Sequence, residues 1–205
     1  MTNRQSEVLN QFEVEVARHQ LAIIHDWGTH RHLRAARPGS SAYLFDIVTW
    51  PGHLAISGDM NSFVFARLPD MFEFFRPGDD GLRINPRYWA EKLQATATGR
   101  GHEEFSEDRL REALAYWAEG FEEEDFSTRA EMFQAAKAHF FGSGEDLRTV
   151  DDALRRAQTF EHDKARFDDL WDFRLTDYTH HYLWCCYAIV WAIKRYDEQC
   201  ARAAA

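Results

Sequence analysis

The sequence predicts an α+β protein in which a three- to four-stranded antiparallel β-meander, at about residues 29–68, packs with an otherwise helical chain. Residues 29–68 hold short β-branched and aromatic runs between tight-turn signals. After Pro69 the apolar residues recur at helical spacing, with capping residues at the expected ends. The chain has 205 residues, of which 45% are hydrophobic, so it can bury a sizeable core. We therefore expect a single domain over 1–205, with a helix and the meander over about 1–68 and a helical part over about 69–205.

The first predicted element is a helix over residues 6–24. Ser6 is suited to its N-cap, and apolar residues form a stripe at helical spacing. The stripe consists of Val8, Phe12, Val16, Ala17, Leu21 and Ile24. Residues 12–16 alternate as a strand would, but the length of the stripe and the absence of Gly and Pro favour a helix.

The meander follows from two tight turns. Residues 50–53, Trp-Pro-Gly-His, have Pro and Gly where a turn requires them, and residues 58–61 form a second turn. The predicted strands are therefore residues 43–50, 53–57 and 62–68, and a fourth strand at residues 30–37 precedes them.

Both faces of this predicted sheet carry apolar side chains. One face has Tyr43, Phe45 and Ile47, and the other has Leu44, Val48 and Trp50. Such a sheet needs a cover on both faces, or it exposes one face to a partner.

The remainder of the chain predicts helices and no further sheet. The predicted helices are residues 71–75, 86–97, 106–119, 128–141, 145–160 and 176–200. We expect no parallel strands and no strand beyond residue 100. Because the middle of the last helix is apolar almost all round, we expect this helix to be the centre of the helical part.

The charge is negative and unevenly distributed. The chain has 34 Asp and Glu against 24 Lys and Arg, which gives a net charge of −10. Residues 1–67 hold six arginines and six acids, so residues 68–205 carry the whole excess. Phosphate binding needs clustered cations, so direct binding of nucleic acid is not expected.

The densest acidic run is a candidate surface for a basic partner. It consists of Glu119, Glu122, Glu123, Glu124 and Asp125. Carboxylates spaced along a rigid surface can follow the spacing of phosphates and imitate nucleic acid. The plainer interpretation is a solvated loop between two helices.

Cysteine usage and the N-terminus indicate a reduced, cytoplasmic protein with no membrane partner. The three cysteines, Cys185, Cys186 and Cys200, lie in the last predicted helix, where adjacent residues do not pair readily. Residues 1–7 have no apolar signal core, and the longest apolar run, residues 182–193, is too short to span a bilayer.

A cluster of His25, Asp26, His30 and His32 is the candidate metal site. His30 and His32 would lie on one side of a strand, at a spacing that two metal-bound imidazoles can use, and His25 and Asp26 precede them. The alternative is a loop at a helix end with solvated histidines. In the metal interpretation the protein would be a metal-dependent hydrolase or a nucleotide-processing enzyme.

Two further carboxylates stand out. Asp59 could act as a general base with His53, but turn chemistry explains it more simply. Asp46 lies among apolar residues of a predicted strand, where a carboxylate should pair with an arginine such as Arg34.

Signatures of familiar enzymes are absent from the sequence. It has no Gly-rich phosphate loop, no Gly-x-Ser-x-Gly elbow and no Cys-x-x-Cys zinc pattern. The sequence therefore favours a protein without catalytic activity and without a cofactor, although it does not decide the matter.

Several segments resemble a family of short bacteriophage and prophage proteins. They are His30-Arg-His-Leu-Arg34, the string at residues 45–60 with Thr-Trp-Pro-Gly-His and Ser-Gly-Asp-Met, Phe63-Val-Phe65, residues 70–75 and Asn85-Pro86-Arg-Tyr-Trp89-Ala. The resemblance covers about residues 25–76 and 85–90 and implies an accessory gene for host takeover, DNA metabolism or counter-defence. Small acidic proteins of that kind resemble inhibitors of host defence such as anti-CRISPR proteins. No residue role comes with the resemblance.

These observations favour a non-enzymatic accessory protein that binds a basic surface of a host or phage protein, such as a nucleic-acid-binding complex. A homo-oligomer is compatible with them. The metal-dependent enzyme is the alternative.

Overall fold

The computed structural model describes residues 2–76, 78, 81–99, 101–121, 126–142, 144, 146–162 and 165–204, and it omits the side chains of residues 126–128. The chain divides into two compact units. We call Met1–His102 with Tyr178–Ala205 the sheet unit, and Glu103–Asp177 the helical unit.

The sheet unit is built on a six-stranded antiparallel sheet whose strands follow one another in chain order. The strands are β1 (Gln20–Trp27), β2 (His30–Ala36), β3 (Phe45–Trp50), β4 (His53–Gly58), β5 (Ser62–Ala66) and β6 (Leu93–Thr96). The helices of this unit are α1 (Asn3–Val16), α2 (Met71–Phe75), α3 (Pro86–Ala90) and α7 (His180–Ala203). The α+β class is confirmed, but the sheet is larger than the predicted meander of three or four strands.

The first additional strand lies where the sequence predicted the end of a helix. Helix α1 begins with a capping box at Thr2 and ends at Val16, and β1 then pairs with β2. Leu21 and Ile23 lie opposite Ala35 and Leu33 in the register, so the apolar residues there follow strand alternation. Gly28, with a φ of 62°, provides the left-handed backbone conformation that the hairpin turn needs.

The second additional strand replaces the end of the helix predicted at residues 86–97. Helix α3 begins after an N-cap at Asn85 but ends at Ala90. Strand β6 then adds to β5, with Leu93 opposite Phe65 and Ala95 opposite Val64. The backbone of β5 offers hydrogen-bond partners to the residues of β6. This long-range pairing outweighs the local helix propensity of these residues and makes them a strand.

Helix α7 is the centre of the sheet unit. Every residue from Tyr182 to Ile193 is buried, as the apolar pattern predicted. The ring of Trp184 meets Phe12 of α1 and Phe45 of β3 edge-to-face. The expectation that this helix forms the centre of the helical part is wrong, because its partners are the sheet and α1. Among the described residues, no helix has the length and apolarity needed to cross a membrane.

The helical unit has its own core. It contains α4 (Glu107–Glu119), α5 (Phe126–Phe141), α6 (Val150–Gln158) and a 3-10 turn at Leu170–Asp172. Leu110 and Leu114 of α4 are buried with Phe140 of α5 and Phe167. Helix α6 begins later than predicted because Thr149 and Asp152 form a capping box.

Two short strands frame the helical unit, so the prediction of no strand beyond residue 100 is wrong. Strands β7 (Glu103–Phe105) and β8 (Thr176–Tyr178) form a two-stranded sheet. The Glu103 carboxylate accepts hydrogen bonds from Arg174 and Thr176, at 2.7 Å each. Just outside the unit, the backbone N–H of Thr179 donates to the carbonyl oxygen of His102 at 3.0 Å. The two ends of the unit are therefore adjacent.

Candidate functional site

The six-stranded sheet has one buried face and one exposed face. Along β3 the residues alternate, with Phe45, Ile47 and Thr49 buried and Val48 and Trp50 exposed. The strand register extends this alternation across the sheet and defines an outer face. Its members are Gln20, Ala22, His25, Trp27, His30, His32, Arg34, Ala36, Asp46, Val48, Trp50, His53, Ala55, Ser57, Ser62, Val64, Ala66 and Ala95. The sequence predicted that the second apolar face of the sheet is either covered or exposed, and the structure shows that it is exposed.

An aromatic row crosses one end of the outer face. Trp27 stacks on His30 with ring centroids 6.0 Å apart, and Trp50 stacks on His53 at 5.0 Å with nearly parallel rings. Both pairs lie beside the hairpin turns that join β1 to β2 and β3 to β4. Trp27 is 75% exposed and Trp50 is 37% exposed. Aromatic rings with this degree of solvent exposure are typical of a binding surface.

On β3 to β6, a row of small side chains lies next to the aromatic row, and His32 and His25 continue the same row on β2 and β1. Val48 pairs with Ala55, Ala55 with Val64, and Val64 with Ala95. Val48 is 38% exposed. On β3 and β4 the two rows differ in height, because tryptophan and histidine project much further from a sheet than valine and alanine. This part of the outer face is therefore stepped and not flat.

A polar row follows the row of small side chains. Arg34 donates to both carboxylate oxygens of Asp46, at 2.9 and 3.1 Å, which confirms the predicted pair. His32 Nε2 lies 2.8 Å from Asp46 Oδ1, and the hydroxyls of Ser57 and Ser62 are 2.8 Å apart. Burial disfavours the charged form of Asp46, but the hydrogen bonds from Arg34 and His32 outweigh it and hold the pKa of Asp46 below its usual range.

The four residues of the candidate metal site do not share one face. His25 lies opposite His32 in the register, and His30 is on the same outer face. Asp26 lies opposite Arg31, and its carboxylate accepts a hydrogen bond from Tyr196 of α7 at 2.8 Å, on the helix side of the sheet. His30 is stacked on Trp27, and His32 is held by Asp46. Within the described ranges, no group of three or more His, Cys, Asp or Glu is arranged to hold a metal ion.

His53 and Asp59 lie at opposite ends of β4 and do not form a pair. His53 Nδ1 is 3.2 Å from the carbonyl oxygen of Pro51. Asp59 accepts a hydrogen bond from the backbone N–H of Tyr43 at 2.9 Å, and Tyr43 has a φ of 57°. Asp59 therefore stabilises the loop that leads into β3, which agrees with the structural interpretation of this carboxylate.

The Ser-Gly-Asp-Met string also has a structural explanation. A Cβ atom on Gly58 would lie 2.2 Å from the carbonyl oxygen of Leu44, so only glycine fits at this crossing of two backbone segments. The Asp59 N–H donates to the same carbonyl oxygen at 2.9 Å. Gly58 and Asp59 thus fix the start of β3 and do not need a catalytic role.

Sequence reasoning missed a partly buried arginine cluster on the helix side of the sheet. Arg31 donates to both carboxylate oxygens of Asp70, at 2.8 and 2.9 Å, and its guanidinium lies 4.4 Å from the centre of the Phe72 ring. The hydrogen bond from Arg31 lowers the pKa of Asp70 below its usual range. Asp70 also caps α2, so the cluster joins β2 to α2. No local pattern indicates a pair separated by 39 positions.

Two of the cysteines are unsuited to nucleophilic chemistry. Cys185 and Cys186 are buried in α7, and this burial raises the pKa of both thiols far above its usual range. Both thiols therefore stay protonated and belong to the core. Cys200 is free and exposed near the end of α7.

The negative charge follows the boundary between the two units. The helical unit holds 21 Asp and Glu against ten Lys and Arg, a net charge of −11, whereas the sheet unit holds 13 against 14, a net charge of +1. Several carboxylates of the helical unit are exposed and form no ion pair within the part of the chain that the structure describes. They include Asp108, Glu119, Asp151, Asp169 and Asp172. Of the predicted acidic run, Glu119 ends α4, and Glu122, Glu123, Glu124 and Asp125 lie outside the described residues.

Comparisons with protein-family models, with curated proteins and with solved structures find no match for this chain. The observations that bear on function are therefore those of the molecule itself. They show an α+β protein with an outer sheet face that carries few charges and a helical unit that carries the negative charge.

Proposed function

We propose that the protein is a non-enzymatic binding protein whose helical unit contacts a basic surface of another protein. The observation that carries this proposal is the net charge of −11 within Glu103–Asp177, against +1 for the rest of the chain. A charge excess confined to one compact unit produces a directed field and attracts a basic partner to that unit.

The exposed carboxylates lie on ordered elements. Asp108 and Glu119 are at the two ends of α4, Asp151 is in the first turn of α6, and Asp172 is in the 3-10 turn. The backbone that carries these carboxylates is already ordered, so binding does not require ordering of the backbone. The carboxylates also repel nucleic acid, so the partner is a protein with a basic surface.

The partner class that we favour is a nucleic-acid-binding protein of the host or of a phage. The acidic unit would occupy the basic surface where that protein holds phosphates. The resemblance to phage and prophage proteins extends this proposal to complexes of host defence such as CRISPR effectors. In this proposal the protein acts as a mimic of nucleic acid that blocks the basic groove.

The test uses charge reversal in each unit. A triple variant of the helical unit, Glu119→Lys, Asp169→Lys and Asp172→Lys, is compared with a matched triple variant of the sheet unit, Glu13→Lys, Glu73→Lys and Glu91→Lys. All six side chains are exposed, and both triples change the charge equally. Proteins captured from a bacterial lysate are purified, and their affinity is measured with wild type and with both variants. A third variant reverses Glu122, Glu123 and Glu124.

We expect the helical-unit variants to lose the partner and the sheet-unit variant to keep it. The Debye length falls from about 8 Å at 0.15 M salt to about 3 Å at 1 M, so the association rate should fall steeply between these conditions. Duplex DNA should compete for the same surface of the partner. Equal binding by all variants, or binding that DNA does not affect, contradicts the proposal.

A further inference from the structure

We propose that a cavity in the helical unit holds an arginine side chain of the basic partner. This inference rests on the proposed function and deepens it, because it names the residue type that the acidic unit recognises. The cavity lies between one face of α4 and the segment that leads into β8, and its volume is about 370 Å³. Sites that enclose small ligands begin at about 300 Å³. The lining residues are Arg109, Glu112, Ala113, Tyr116, Phe173 and Arg174.

The spacing of residues along α4 forms one wall of the cavity. Arg109, Glu112, Ala113 and Tyr116 follow one another at intervals of one, three or four positions, so they share one face of the helix. The side chain of Ala113 ends at Cβ and is buried. The longer side chains around Ala113 therefore form a rim, and the alanine leaves the space between them open.

An exposed aromatic ring stands at this rim. The ring of Tyr116 packs edge-to-face with the half-buried ring of Phe173, with centroids 5.6 Å apart. Tyr116 is nevertheless 66% exposed, so much of its π surface remains open to a ligand. The face of an aromatic ring attracts a cation, and arginine is found in such contacts more often than lysine.

Two carboxylates lie beside the Tyr116 ring on the helix surface. Glu112 precedes it by four positions and Glu119 follows it by three, which places both next to it. The side chain of Glu112 is 67% exposed, and its Oε2 accepts a hydrogen bond from Arg109. A carboxylate has further lone pairs, so Glu112 can accept a second donor. A guanidinium over Tyr116 therefore meets a ring on one side and carboxylates at its edges.

The two arginines of the lining do not make the cavity a site for anions. Arg109 donates to Glu112 at 2.9 Å and lies 3.5 Å from Asp177. Arg174 donates to Glu103 at 2.7 Å. Three carboxylates thus offset two guanidinium groups, within a unit whose net charge is −11. The surrounding field repels an anion and attracts a cation.

The partner class that we propose supplies the matching side chain. A protein that holds phosphates commonly does so with arginine, because its planar guanidinium donates two parallel hydrogen bonds to an oxyanion. The same group can bind the carboxylate of Glu112 while it stacks on Tyr116. Arginine is also enriched among the few residues that contribute most of the binding energy of an interface. The cavity thus adds a specific contact to the long-range attraction of the acidic unit.

The experiment titrates the full chain with N-acetyl-arginine amide and follows its NMR spectrum. The matched ligand is N-acetyl-citrulline amide, which has nearly the same shape and no charge. We expect saturable shifts of the Tyr116 and Phe173 resonances, with a Kd on the order of millimolar for the arginine compound. The citrulline compound should bind at least about threefold more weakly, because it lacks the cation.

Variants of the lining test each contact separately. Tyr116→Leu removes the ring and Glu112→Gln removes the charge, and each should weaken binding of the arginine compound by about threefold or more. Tyr116→Phe keeps the ring and should bind as wild type does. The control for charge is Glu131→Gln on α5, which makes the same change at a side chain that is 64% exposed and does not line the cavity. This control should also bind as wild type does.

Three results overturn the proposal. They are equal binding of the arginine and citrulline compounds, binding that withstands both Tyr116→Leu and Glu112→Gln, and the absence of saturable shifts at Tyr116 and Phe173. Sodium phosphate should leave these resonances unchanged, and saturable phosphate binding there would assign the cavity to anions instead. Because the titration uses no partner protein, a cavity that does not bind arginine and a helical unit that does not bind a partner are separate results.

Discussion

The two units of this chain differ in net charge more than in exposed aromatic surface. The sheet unit is nearly neutral, with a net charge of +1, and exposes the rings of Trp27 and Trp50. The helical unit has a net charge of −11, and it exposes the rings of Tyr116 and Trp171 as well as carboxylates. Charge acts over the Debye length, whereas aromatic surface acts only at contact. The comparison indicates that charge distinguishes the two units, whereas exposed aromatic surface occurs in both.

The largest expected effect concerns the core of the sheet unit. Trp184→Ala should lower the free energy of unfolding by about 3–5 kcal/mol, because the ring contacts Phe12 and Phe45 and its Nε1–H donates to Glu15 at 2.7 Å. Urea unfolding followed by circular dichroism measures the change. The control is Trp171→Ala in the helical unit, where the ring is 65% exposed, and it should change stability by less than about 0.5 kcal/mol. Similar losses in the two variants would show that the buried ring of Trp184 contributes no more to stability than an exposed ring.

A smaller loss is expected from Gly58→Ala. The added methyl group would lie 2.2 Å from the Leu44 carbonyl oxygen, so β3 and β4 must separate, at about 1–3 kcal/mol. Thermal unfolding measures this loss. Gly144→Ala in the helical unit is the matched control, because a methyl group added there meets no atom within 4 Å and only the φ of 73° opposes the change. We expect Gly58→Ala to be the more destabilising, and the reverse order would show that the crossing at Leu44 relaxes freely.

In the helical unit, Thr149→Ala tests the start of α6. Thr149 accepts a hydrogen bond from the Asp152 N–H at 3.1 Å and donates its own N–H to the Asp152 carboxylate at 3.0 Å. Loss of this cap should lower stability by about 1 kcal/mol. Thr149→Ser retains the hydroxyl and should remain close to wild type in the same denaturation experiment. Equal losses in the two variants would assign the effect to packing and not to the cap.

The smallest effect is an acid dependence of the sheet unit. Because Arg31 holds the pKa of Asp70 below its usual range, the folded state favours the carboxylate. This stabilisation is complete above the pKa of an unfolded aspartate and is lost as the pH falls through the lower pKa of the folded state. Unfolding midpoints measured from neutral pH to below about pH 4 should therefore fall less steeply in Asp70→Asn than in wild type. Asp172→Asn, which alters an exposed carboxylate, should keep the slope of wild type.

Local patterns predicted the middle of the sheet correctly. The turn signals at Pro51-Gly52 and Gly58-Asp59 give β3, β4 and β5 nearly at their observed bounds. The Arg34–Asp46 pair followed from the cost of an unpaired carboxylate in a strand. These features depend on residues close in sequence, or on a requirement that a single residue imposes.

Long-range pairing decided the features that the sequence did not reveal. The spacing of Leu21 and Ile24 fits a helix, that of Leu21 and Ile23 fits a strand, and only pairing with β2 selects the strand. The apolar pattern around Trp184 predicts that these residues are buried, but it does not show which elements pack against them. The stepped outer face depends on the register of five strand pairs, which places His25, His30 and His32 together and Asp26 on the other side. No local pattern contains that information.

The hydrogen bond between Thr179 and His102 has a consequence for how the helical unit is joined to the rest of the chain. The chain leaves the sheet unit at His102 and returns at Tyr178, and the backbones of His102 and Thr179 are 3.0 Å apart from donor to acceptor. The helical unit is thus an insertion into a continuous scaffold, with its two ends at one point. A unit inserted in this way can be removed or exchanged, because a link of very few residues is enough to join the flanking ends of the sheet unit. Selection could therefore replace the acidic unit while the scaffold and its outer face stay the same.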